Sequence, residues 1–77
     1  MASVSDQDKL RLLLPHWIEH NEEHAEEFRR WAEKGGAARE DILQAANRLQ
    51  EVNQALARAL ARLGGPLQHH EYRHPHA

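Results

Sequence analysis

Cysteine is absent from the 77-residue chain. That excludes disulfides, thiolate zinc sites and thiol nucleophiles, and leaves imidazole and carboxylate to hold any metal. No apolar run approaches the length of a membrane span, and Met1 to Asp8 has neither the basic nor the apolar region of a secretion signal, so a soluble, cytoplasmic protein is expected. An excess of positive charge is missing too. Ten Lys and Arg against twelve Asp and Glu give a formal charge of −2, which argues against a nucleic-acid partner. There is no phosphate-cradling Gly loop, no nucleophile constellation and no Cys-x-x-Cys-His, so the chain does not read as an enzyme. A single domain this short rarely builds a sufficient core without a metal, a disulfide or a partner subunit.

Glycine and proline are scarce, and their positions divide the chain. Gly35-Gly36 and Gly64-Gly65-Pro66 bound two helical stretches, expected at about 6–34 and 37–63. Ser5 supplies a cap to the first, with Asp6 and Asp8 in its opening turn. Pro15 is the one obstacle: it lacks a donor and clashes with the carbonyl of Arg11, so a kink near Arg11 to Leu14 is expected, or a main helix starting with Pro15 in its first turn. The second stretch has Glu40 and Asp41 at its positive end and Arg58 and Arg62 at its negative end. The domain is therefore an antiparallel two-helix hairpin over 1–66, followed by a flexible His-rich tail over 67–77.

Steps of three and four then set the expected register. Leu10, Leu14, Trp17, Asn21, His24, Phe28 and Trp31 form one seam, and Ile42, Ala46, Leu49, Asn53, Leu56, Leu60 and Leu63 the other. Folding at the Gly-Gly turn places residue i opposite roughly 74 − i, which sets Asn21 against Asn53 and Trp17 against Leu56. Leu13, Ile18, Leu43 and Val52 widen the apolar stripes beyond what two helices can cover. A two-fold homodimer forming a four-helix bundle is the economical completion of this all-α fold.

Seven histidines fall in two groups. His16, His20 and His24 recur every four residues, stacking on one side of the first helix. His20 and His24 make a two-imidazole clamp in that register, with Glu27 one turn on, and His16 farther toward solvent. Such a set suits nickel, zinc or cobalt, in that order of expectation. The arrangement resembles carboxylate-bridged diiron bundles but departs from them, because the second helix carries no histidine. His69, His70, His74 and His76 crowd the tail, which resembles the histidine-rich tails of nickel chaperones, and could hold the same ions loosely.

The run Leu13 to Phe28, centred on Leu14-Pro15-His16-Trp17-Ile18-Glu19-His20-Asn21, resembles a small family of uncharacterised helical-hairpin domains from anaerobic prokaryotes. The resemblance implies an accessory to nickel- or cobalt-handling proteins, with His16, His20 and His24 as ligands. The leading expectation is thus a non-enzymatic transition-metal-binding accessory protein with an interhelical His site, a His-rich tail and a metal-protein partner. The competing expectation is a dimerisation module whose Asn21/Asn53 layer sets register and whose histidines bind no specific metal.

Overall fold

Ser5 opens the first helix as the sequence requires: its backbone is extended, and its hydroxyl accepts a hydrogen bond of 3.0 Å from the Asp8 amide. One of the donors left free at a helix start is thereby satisfied. The computed structural model describes residues 5–67. In it, α1 runs Asp6–Ala32 and α2 runs Arg39–Arg62, joined by a single 3₁₀ turn at Gly36–Ala38. The two α-helices pack against each other as a hairpin. Both end slightly inside their expected limits. The tail residues 68–77, with their four histidines, lie outside the described residues.

Pro15 does not divide α1, which continues through it as one helix of 27 residues. The alternative in which the main helix begins at Pro15 is therefore corrected. Proline removes one ladder bond, and Leu14 shows what keeps the helix whole across the gap: it is 3% exposed, anchoring this turn against α2.

Each end of the hairpin is closed by backbone chemistry. At the turn, Lys34, Gly35 and Ala38 amides donate to the carbonyls of Trp31, Ala32 and Gly35, each at 2.9 Å. At the far end, the Gly65 amide donates to Leu60 O at 2.9 Å and the Gly64 amide to Ala61 O at 3.1 Å. This paired closure requires positive φ just past the helix, and Gly64 stands at +101° and Gly65 at +88°. The Arg11 side chain then reaches across: its Nε donates to Gly65 O at 2.7 Å, and its Nη2 to Gly64 O at 3.4 Å. The start of α1 is clasped to the end of α2.

The seam between the helices is built of small residues. Among the described residues, Leu14, Ala25, Ala32 and Ala46 are the fully buried apolar side chains, at 3% exposure or less. The expected register holds at Leu14, Asn21 and Phe28 but shifts by one position between them. Ile18, Ala25 and Ala32 turn toward α2, whereas Trp17, His24 and Trp31 lie exposed beside the seam. The placement of His24 in the interhelical seam is corrected accordingly. The physical reason is twofold: alanine lets the two backbones approach closely, and an imidazole taken out of water without a partner costs free energy.

The polar layer crosses this seam as expected. Asn21 Nδ2 donates to Asn53 Oδ1 at 2.9 Å, and Asn53 Nδ2 donates to the Ile18 carbonyl at 3.0 Å. Both amides are half-buried, and each buried polar atom that has lost water has gained a partner.

Candidate functional site

The two flanks of the hairpin differ in chemistry. One is polar, a shallow groove lined by Glu22, Glu26 and Arg29 of α1 and Gln50 and Asn53 of α2. The other holds an apolar hollow lined by Phe28, Trp31, Ile42 and Ala45, with Asp41 at its edge. Helical spacing carries this second flank down the molecule through Leu13 and Trp17 on α1 and Leu49, Val52 and Leu56 on α2. Trp17 is 41% exposed, Trp31 59% and Val52 45%. Apolar side chains larger than those of the core thus remain in water.

Along the margin of that flank run the α1 histidines. All three are exposed, and their rings form a row that continues into Phe28. The His16 and His20 ring centroids are 4.3 Å apart, those of His20 and His24 6.3 Å, and those of His24 and Phe28 6.4 Å. His24 Nδ1 stands 3.8 Å from Glu27 Oε1, beyond hydrogen-bond reach, with both side chains more than half exposed. His16 and His24 are eight residues apart, about 12 Å along the axis, so the three imidazoles cannot share one ion. Among the described residues no group of three or more His, Asp or Glu converges as a metal site. The expected His20/His24/Glu27 set is therefore a line on the helix surface, and the closest imidazole pair is His16/His20. His69, His70, His74 and His76 lie outside the described residues.

Arg11 was not among the expected functional residues. Its partners are backbone carbonyls 53 and 54 positions away, and no side-chain pattern announces a carbonyl acceptor.

Fold and surface define a class: a minimal antiparallel helical hairpin with an Asn layer, one polar flank and one apolar flank edged by histidines. Residues 10–63 match the model of a domain family described as "Domain of unknown function (DUF8180)", and the chain belongs to that family. It is also 36% identical over 61 residues to an uncharacterized protein of Archaeoglobus fulgidus, a match covering 74% of this chain and 98% of that one. The match therefore takes in nearly all of the relative. No solved structure matches. Among the described residues no helix is long and apolar enough to cross a membrane.

Proposed function

We propose that the hairpin is an assembly module that pairs with a second copy of itself through the apolar flank, giving a four-helix bundle. The observation that carries this reading is an inversion of size. Among the described residues the fully buried side chains are one leucine and three alanines, whereas Trp17, Trp31, Leu13 and Val52 are each at least 41% exposed. Ile18, Phe28, Ile42, Leu49 and Leu56 are only half-buried within the hairpin, so covering the flank would remove further apolar area from water.

Three features favour a second copy as that surface. The flank runs along helices of 27 and 24 residues, about 40 and 36 Å at 1.5 Å per residue, and a stable interface needs about 800 Å² from each partner. The apolar positions of the flank, Leu13, Trp17, Phe28 and Trp31 on α1 and Ala45, Leu49, Val52 and Leu56 on α2, carry no charge, and the exposed histidines stay at its margin. A face without net charge can meet its own image across a two-fold axis without repulsion. The Asn21–Asn53 bond, which fixes the register within each hairpin, keeps the two strips in step along their length.

Sedimentation equilibrium on the chain and on a Trp17→Glu/Trp31→Glu variant tests the proposal. The unsubstituted chain is expected at twice its 8.9 kDa mass, and the variant at the mass of one chain, with dissociation at least tenfold easier. A helical, monomeric unsubstituted chain at all concentrations would contradict it.

A further inference from the structure

We propose that His16 and His20 form a two-imidazole clamp for a borderline divalent cation, Ni²⁺, Cu²⁺ or Zn²⁺, on the outer face of α1. The remaining coordination positions are open to water or to a ligand from another molecule. This goes beyond the assembly reading and does not depend on it.

Distance selects the pair. Two imidazoles bound side by side to one ion at about 2.1 Å have ring centres roughly 4.5–5 Å apart. The His16–His20 separation of 4.3 Å meets that requirement within a small side-chain adjustment. The His20–His24 separation of 6.3 Å does not, and His24 already leans toward Glu27. The rings of the closer pair are tilted by 44° and so are not stacked face to face. Both residues are exposed, so an ion can enter and leave without the hairpin opening.

Charge points to the same place. Between Arg11 and Arg29 there is no Lys or Arg, while Glu19, Glu22, Glu23, Glu26 and Glu27 all fall in that interval. The acids face several directions around the helix, and their summed field raises the local concentration of divalent cations at the imidazoles. Neutral imidazole then selects late first-row metals over Mg²⁺ and Ca²⁺, which prefer oxygen. With two protein ligands, the site is suited to holding an ion reversibly or bridging to another ligand, and not to enclosing it.

Calorimetric titration with NiCl₂ tests this on the 77-residue chain with His69, His70, His74 and His76 changed to alanine, so that the tail contributes no imidazole. One Ni²⁺ per chain is expected, with no response to MgCl₂. His24→Ala should leave the affinity within a factor of two, whereas His16→Ala/His20→Ala should weaken it at least tenfold. Helix content by circular dichroism should be equal in every variant, since all three side chains are exposed. Binding lost as strongly in His24→Ala or Glu27→Ala as in the His16/His20 variant would overturn the assignment. So would the absence of Ni²⁺ binding in the tail-substituted chain. Running the sedimentation assay on metal-free protein keeps failure of this site separate from failure of the dimer.

Discussion

The same two helices make both flanks of the hairpin, yet one flank is finished and the other is not. On the polar side, Glu22, Glu26, Arg29 and Gln50 line a groove that water can solvate. On the apolar side, Phe28, Trp31, Ile42 and Ala45 line a hollow with hardly a polar group to hydrate. The contrast shows where the stabilising area of this fold resides. The seam between the helices, made of Leu14 and three alanines, holds geometry more than energy. On the proposed assembly, the apolar flank adds its share of stabilisation when a second copy covers it.

The sharpest way to break this comparison is to charge each flank in turn. Trp17→Glu/Trp31→Glu should dissociate the assembly and lower the apparent stability by several kcal/mol, since each Trp withheld from burial forfeits about 2–3 kcal/mol. The matching change on the other flank, where Gln50 and Gln54 both line the polar side, is Gln50→Glu/Gln54→Glu, which should shift it by less than about 0.5 kcal/mol. Thermal melts at one fixed concentration distinguish the two. Equal losses would mean that the flanks are equivalent.

The polar layer comes next in size. Asn53 has a bond to Asn21 and another to the Ile18 carbonyl, so Asn53→Ala should cost about 1–3 kcal/mol in urea unfolding. Replacing both residues with leucine should recover or exceed the original stability, while yielding mixed oligomers by sedimentation, because the register device is gone. A single homogeneous species from the double variant would show that apolar packing alone sets register.

Smaller effects probe the ends. Arg11→Ala removes the clasp on Gly64 and Gly65 and should cost about 1–2 kcal/mol. Gly64→Ala, at φ +101°, a backbone conformation that L side chains rarely adopt, should cost about 1 kcal/mol. Ser5→Ala should cost about 0.5–1 kcal/mol through loss of the cap. Amide hydrogen exchange should localise the first two changes to the open end of the hairpin and leave the 3₁₀ turn protected.

The hairpin was largely legible in the sequence because its signals are local. Ser5 caps, Gly35 and Gly36 turn, Gly64 and Gly65 stop, and the Asn21–Asn53 pairing follows from counting back from the turn. The seam was half legible. Leu14, Asn21 and Phe28 belong to both possible stripes, and apolar periodicity favoured Trp17 and Trp31 over Ile18 and Ala32 because larger side chains look more like core. Alanine carries little hydrophobic signal, but its value lies in close helix approach, a property of two surfaces together. The same one-position shift takes His24 out of the seam between α1 and α2 and leaves it exposed. The contact of Arg11 with backbone carbonyls leaves no trace in a residue pattern. Metal identity is not encoded by His spacing alone, since imidazole serves nickel, copper and zinc alike.

The central claim is that the hairpin reaches its stable state only when its apolar flank is covered by a second copy. The most direct test is the thermal unfolding midpoint of the metal-free chain over a hundredfold range of concentration. Coupled folding and association require the midpoint to rise steadily with concentration, by mass action. A midpoint independent of concentration, in a helical chain sedimenting at 8.9 kDa, would contradict the account.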